Sequence, residues 1–455
     1  MTIEKTSFEF ETILLQSDRL DKPVELNRIV SDLEIFEHLE KPYLTARMLL
    51  VDDSNLYQNV DFVGSEKVFI QIRTSEDGAK AISKTFIISK IEKIDKIQDN
   101  AQSILIHLIE DIFYLSSLKN VNRYYIGRSK EIITKIAKNF LDHDVNFVGT
   151  EKQNFELIIP NMHPLDAMKW VTSKSFTTRG YPFYLFSTLV GNELQCQDLG
   201  TLLLNPALNS GRGDPDFIVS SVKSQDTMNV LQQRRIIENH EFNVQENLLE
   251  IIRKGLTGAR YEYIDTLAEN TKAFKFDVVE DLYKKLLLDG ILSSEQPNPS
   301  YSGEELFEDK PIHKFSNKRI TQIGGSMAFR DEDVEEEGDD PAEYTNYLNS
   351  YNEDKTAAEY KLNVVKASME SALKKNPVTF NINGLEFVKG DFHKTIGTNI
   401  NVSFQETKDS IDKDEDKKKS GKYLIYSVRH MFKKTVDKYD VSMRCIKISN
   451  LRKPV

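Results

Sequence analysis

Residues 83–94 read SKTFIISKIEKI, and residues 421–432 read GKYLIYSVRHMF. Each puts a lysine, Lys84 or Lys422, ahead of a β-rich run of the same length. The neighbours match as well. In the first half, Gly64 precedes a strand with Val68, Ile70 and Ile72 at alternate positions, and the repeated run is followed by ILIHLIEDIF. In the second half, Gly397 precedes Ile400, Val402 and Phe404, and the repeated run is followed by YDVSMRCIKI. Alternation of apolar residues marks strands with one buried face. From Lys84 to Ile104 is 20 residues, and from Lys422 to Val441 is 19. A chain that writes the same strands twice is constrained to fold into two copies of one small antiparallel barrel.

The rest of the chain fits around these copies. With 455 residues there is room for two to four domains. Residues 1–125 read as the first β-barrel. Residues 126–205 begin with a helix, SKEIITKIAKNFLDH, with Ile132, Ile133, Ile136 and Phe140 on one face. Then come FELIIP, a helix opened by Pro164, and a hairpin over 181–203 turning at Gly191-Asn192. These strands are expected to complete a discontinuous second barrel. Residues 206–300 read as a mixed α/β insertion with a hairpin at 259–277. A helix follows at 277–290, capped by Asp277 with Glu280 as in a capping box, and closed by Gly290. Residues 301–356 read as an acidic linker, with eight carboxylates in DEDVEEEGDD at 331–340. Residues 357–455 hold a helix, with Leu362, Val365, Met369 and Leu373 on one face, and the strands PVTFNI, LEFVKGDF, NINVSFQ, GKYLIYSVRHMF and YDVSMRCIKI. The expected class is β-rich α+β.

Composition excludes several functions. A net charge of −11 argues against a protein that grips nucleic acid, which needs clustered Lys and Arg. No apolar run approaches the ~20 residues of a membrane helix, and MTIEKTSFEF lacks a signal-peptide core. Two cysteines, Cys196 and Cys445, support neither a disulfide framework nor a cysteine zinc site. They suit a chain made in a reducing cytoplasm.

Chemistry-bearing motifs are scarce. Arg212-Gly213-Asp214 in SGRGDPD spells an adhesion tripeptide, but Gly, Asp and Pro are ordinary turn residues. Asp412, Asp414 and Asp416 alternate like the start of a calcium loop, but Lys417 stands where Gly is needed and Tyr423 where Glu is needed. A solvated hairpin loop is the simpler reading. The eight histidines are scattered, with no HExxH. His143 and Asp144 are neighbours that point apart, His163 precedes a helix-start proline, and His430 reads as a satisfied strand residue. Trp170 reads as core. No nucleotide-binding glycine motif occurs. No catalytic, cofactor-binding or metal-binding residue is assigned.

NFELIIPNMHPLDAMKWVTSKSF followed by YPFYLFSTLVGNELQCQDLGTLL resembles the baseplate hub proteins of contractile-tailed bacteriophages. So does the ending, in which Gly-Lys-Tyr-Leu-Ile leads to Ser-Val-Arg-His, and so does the early stretch LEIFEHLEKPYLTARMLLVDD. The resemblance covers the start, residues 150–205 and the C-terminus. It rests on packing residues rather than chemistry. It implies a structural, non-enzymatic homotrimer whose six near-equivalent barrels adapt a three-fold central spike to a six-fold tail tube. The implied partners are the spike protein and a tube or tube-initiator protein, with baseplate wedge and tape-measure proteins further candidates. DNA would be passing cargo only, no membrane partner is implied, and no cofactor is expected. Net acidity suits a channel wall along which DNA slides. The implied location is the virion tail, assembled in the host bacterial cytoplasm. Two rival readings are a tail-associated cell-wall hydrolase, which needs only two placed carboxylates among 71 acidic residues, and a receptor-binding adhesin.

Overall fold

A computed structural model describes residues 8–53, 56–60, 62–74, 81–98, 101–151, 154–211, 216–219, 230–242, 248–265, 270–292, 298–299, 306–315, 317–323, 357–374, 377–388, 395–405, 415–416, 419–447 and 449–450. The integrin-like tripeptide, the acidic run at 331–340, and Asp412 and Asp414 lie outside these residues.

In chain order the first strands are β1 (Phe8–Gln16), β2 (Val30–His38), β3 (Thr45–Asp52), β4 (Lys67–Thr74), β5 (Ile82–Gln98) and β6 (Ala101–Glu110). A middle region follows, with β7 (Tyr124–Arg128), α1 (Ser129–Ile136), β8 (Val145–Val148), β9 (Asn154–Ile158), α2 (Pro164–Lys174), β10 (Phe183–Phe186) and β11 (Leu194–Asp198). Then come β12 (Phe217–Val219), β13 (Ile237–Phe242), β14 (Gly258–Asp265), β15 (Asn270–Asp277) and β16 (Asn317–Ile323). The chain closes with α3 (Ala357–Lys374), β17 (Val378–Asn383), β18 (Asn399–Phe404), β19 (Gly421–Lys433) and β20 (Lys438–Ile446).

One thirteen-stranded sheet dominates. Its order is β13-β17-β20-β19-β2-β3-β6-β5-β4-β1, ending on Val24–Glu25, with β18 and β12 attached beside β19. Alternation explains the strands: β4 buries every second residue, and Val68, Ile70 and Ile72 all face the core. That core is continuous across both halves, running from Ile13 and Leu33 to Phe380 and Met443.

The halves match in register. β2·β3, β3·β6, β6·β5 and β5·β4 are all antiparallel. So are β13·β17, β17·β20, β20·β19 and β19·β18, in the same order. β5 and β6 slip register between Ile88↔Leu108 and Lys90↔His107. β19 and β20 slip between Ile425↔Cys445 and Ser427↔Arg444. β2 slips between Val30 and Asp32, and β13 between Ile237 and Asn239. Bulges at matching places are built features. Gly64 and Gly397, each at positive φ (87° and 74°), lead into β4 and β18, where only glycine turns without strain.

The register corrects the sequence alignment by one residue. Ile70 pairs with Lys84, and its counterpart Val402 pairs with Gly421, so Lys84 matches Gly421 rather than Lys422. No closed ring of paired strands is present among the described residues: the sheet is open, and the halves meet edge to edge where β19 pairs with β2.

Other expectations are also revised. The strands of residues 126–205 do not complete the second half. Among the described residues β9 pairs only with β7, and β10-β11-β8 form a small sheet of their own. The second half draws instead on β12, β13 and β17. The connection between β10 and β11 spans residues 187–193, so Gly191-Asn192 sits in a wide loop and not a two-residue turn. In LEFVKGDF, Gly384–Phe387 is a 3-10 turn, capped by the Asn383 side chain on Leu385 N–H. Residues 317–323, inside the expected linker, form β16, which runs parallel to β14. The 259–277 hairpin, the α2 start at Pro164 and the apolar face of α3 stand as read. Asp277 does cap its helix through Val279 and Glu280 N–H, but the reciprocal carboxylate is Asp281, which accepts from Asp277 N–H. No helix among the described residues is long and apolar enough to cross a membrane.

Candidate functional site

The site that the fold builds with most care is the junction of the two halves. β2 and β19 pair antiparallel from Ser427↔His38 to Lys433↔Asp32. Strand alternation turns Glu37 and His430 toward the interior, where they are 1% and 0% exposed. His430 Nε2 donates to Glu37 Oε2 at 2.8 Å, and Nδ1 lies 2.8 Å from the Tyr439 hydroxyl. The other Glu37 oxygen accepts from Leu189 N–H and, at 3.1 Å, from the Thr395 hydroxyl. A buried carboxylate survives only with such complete satisfaction. Burial, and then the Glu37 charge, push the Tyr439 phenol well above its ordinary pKa. The Tyr439 ring stacks on Phe432 at 4.3 Å.

A buried ion pair lies in the first half. Lys84 Nζ reaches Glu110 Oε1 at 3.1 Å and donates to Gly191 O at 2.7 Å. Glu110 also accepts from Leu44 N–H at 2.8 Å and from the Ser187 hydroxyl at 3.0 Å. Both carboxylates therefore hold the 187–191 loop of the middle region. That loop is a wedge fixed at once to β2, β5 and β6, and it explains why the β10–β11 connection is wide.

On the solvent face over the junction lies an open cleft of about 540 Å³. Arg47, His107, Arg429 and Arg444 line it, and Phe36 sits under two guanidinium groups, Arg47 at 5.5 Å and Arg429 at 5.9 Å. Arg429 pairs with Glu34 across the two strands. The cleft is therefore basic in a chain of net negative charge.

The arrangement ties the two halves of the chain and the 187–191 loop to one another. His430 was read as a satisfied strand residue, and it is one. His163 occupies the N-cap position of α2 and bonds Lys119 O through Nδ1. His143 Nδ1 bonds Leu141 O and not its neighbour Asp144. Trp170 is half-buried at the edge of the middle core, with Lys174 over its ring at 4.4 Å. Asp416 accepts from Lys419 N–H and pairs with the Lys419 ammonium, which puts a cation of the chain's own beside it. Among the described residues no three His, Cys, Asp or Glu side chains stand together as a metal site. Sequence reasoning missed Glu37, Lys84 and Glu110 as a set. Charged residues at inward positions of apolar strands are the signal that marks them.

The sequence matches no protein-family model and no curated protein. Solved structures do match. A tail protein from Neisseria meningitidis shares 9% identity over 97% of each chain at a TM-score of 0.50. A 43 kDa tail protein of prophage MuSo2 from Shewanella oneidensis shares 11% identity over 96% of this chain and 98% of that one, at 0.48. Prophage tail protein gp18 from Listeria monocytogenes shares 8% over 95% and 94%, at 0.43. The chain shares the fold of the Neisseria tail protein along nearly its whole length.

Proposed function

We propose that this chain is the structural hub subunit of a contractile phage-tail baseplate. It forms a homotrimer that adapts a three-fold central spike to a six-fold tail tube. Its role is mechanical, not catalytic. The observation that carries the reading is the repetition of five antiparallel strands in the same order, with matching bulges at Ile88/Lys90 and Ile425/Ser427 and at Val30/Asp32 and Ile237/Asn239, joined at β2·β19. Two such units per chain turn three-fold symmetry into near six-fold symmetry. Each unit is read as an incompletely closed barrel: the isolated Ile218↔Ile236 bridge brings β12 toward the start of β13, and Asn27 bonds Phe10 O and Glu11 O between β1 and β2. The chain divides into unit one (1–125), the docked middle region (126–205), an insertion (206–300), a connecting segment (301–356) and the C-terminal strands of unit two (357–455). Partners are the spike and a tube or tube-initiator protein, with wedge and tape-measure proteins at the periphery. DNA passes through a central channel. The location is the tail baseplate of the virion, built in the bacterial cytoplasm.

Light scattering on a sizing column tests this. The expected mass is three times 52.4 kDa. A monomer that stays monomeric when mixed with the spike protein refutes the hub reading.

A further inference from the structure

The two units do not end alike. β19 has β20 along one edge. Its other edge is shared, with Asn399–Val402 of β18 on Gly421–Leu424 and β2 on Ser427–Lys433. Its counterpart β5 has β6 along one edge and β4 on Ile82–Ile87 of the other. Past Ile87 that second edge carries no strand among the described residues. β13, the counterpart of β2, has β17 on one edge and no strand on the other over Asn239–Phe242, among the described residues. The internal junction thus consumes one edge of each kind and leaves one of each kind open. Open strand edges invite pairing with another chain.

We propose that β13 of one subunit pairs antiparallel with β5 of a second copy of this chain, around Ile94, in the register of the internal β2·β19 junction. The proposal rests on the trimer proposed above and names its contact. In the internal junction Ile35 stands opposite His430, and Glu34 opposite Met431. The ladders give each residue its counterpart. Ile35 and Glu34 pair with Ala46 and Arg47 as Phe242 and Glu241 pair with Val378 and Thr379. His430 and Met431 pair with Val441 and Asp440 as Ile94 and Asp95 pair with Ile104 and Ser103. The register therefore sets Phe242 opposite Ile94 and Glu241 opposite Asp95.

Two observations not used to derive that register agree with it. Phe242 and Ile94 are large apolar side chains left 40% and 38% exposed, and they come to cover one another. The internal junction is also crossed on the diagonal by the Arg429–Glu34 ion pair. The counterparts are Lys93 and Glu241, again a cation and an anion; Lys93 pairs with Asp95 on its own strand, so it stands between the two carboxylates. Such a contact is head-to-tail, and it closes into a ring if each step repeats the internal rotation.

The test is the full-length double variant Phe242→Cys/Ile94→Cys under mild oxidation on a non-reducing gel. The two positions lie on strands at well-separated places in the sheet order, so a disulfide between them joins two copies. The native cysteines are buried. The expected result is a covalent trimer, lost when either cysteine is present alone. Glu241→Lys is expected to lower the trimer fraction, and adding Lys93→Glu to restore it. A trimer by mass that does not cross-link and ignores Glu241→Lys overturns this interface and leaves the hub reading standing. A cross-linked ladder beyond three supports the strand pairing and overturns the trimer. A monomer without cross-links overturns both.

Discussion

Replacing His430 with leucine should cost more than replacing Glu37 with glutamine, although both alter the same hydrogen bond. His430→Leu removes two hydrogen bonds and leaves the Glu37 carboxylate buried at 1% exposure without its ring partner. Breaking one side of such a pair costs about 3–5 kcal/mol. In Glu37→Gln the amide oxygen still accepts from Leu189 N–H and Thr395. The new NH2 donates to Nε2 once the ring carries its proton on Nδ1, which then faces the Tyr439 hydroxyl. Every polar heavy atom keeps a partner and only the Tyr439 O–H loses its acceptor, so the cost is about 1–2 kcal/mol. Urea unfolding read by circular dichroism separates the two. With a slope of about 3 kcal/mol per molar urea, His430→Leu lowers the midpoint by about 1–2 M and Glu37→Gln by a few tenths. Equal shifts for the two variants would show that the histidine does not hold the carboxylate, and the account of the junction would fall with it.

Gly384→Ala places a Cβ 2.5 Å from the Tyr439 ring, which is fully buried and stacked on Phe432. The expected loss is about 1–3 kcal/mol in the same assay, and an unchanged midpoint would refute the close packing. Lys84→Met strands Glu110 and releases the 187–191 loop from its Gly191 contact. A loss of about 3–5 kcal/mol is expected, with faster proteolysis within residues 187–193, and a protease-resistant loop would contradict the wedge. Lys447 has its pKa lowered to about 8, chiefly by burial, with Asp416 and Glu415 only partly offsetting it. Below pH 8 the folded chain bears the full cost of the buried charge. Between 8 and the ordinary lysine value the unfolded chain binds more protons, so stability rises with pH, by about 2 kcal/mol near pH 9.5. Across this range wild type is expected to gain stability relative to Lys447→Met, so the gap between their unfolding midpoints changes with pH by that amount, and parallel pH profiles would refute the assignment.

The sequence by itself determined most strands of the two halves and that a set of them is written twice, but it missed Phe217–Val219, Ile237–Phe242 and Asn317–Ile323 and read a strand into LEFVKGDF. Both properties are local: a period of two is visible in Val68, Ile70 and Ile72 without knowing any partner. It also marked His430 as a satisfied strand residue and Asp277 as a cap. It placed the repeat one residue out at Lys84, because side chains alternate with a period of two and only a paired neighbour fixes the phase. It assigned 155–160 and 181–203 to the wrong sheet, because which strands pair is a contest among distant segments. Tertiary structure alone decided three things. It made the two units share an edge, it drove the 187–191 loop onto two buried carboxylates, and among the described residues it left β5 past Ile87 and β13 over Asn239–Phe242 with one edge that carries no strand. Each depends on residues far apart in the chain, Glu37 and His430 among them, which carry no mutual signal until the sheet brings them within 2.8 Å.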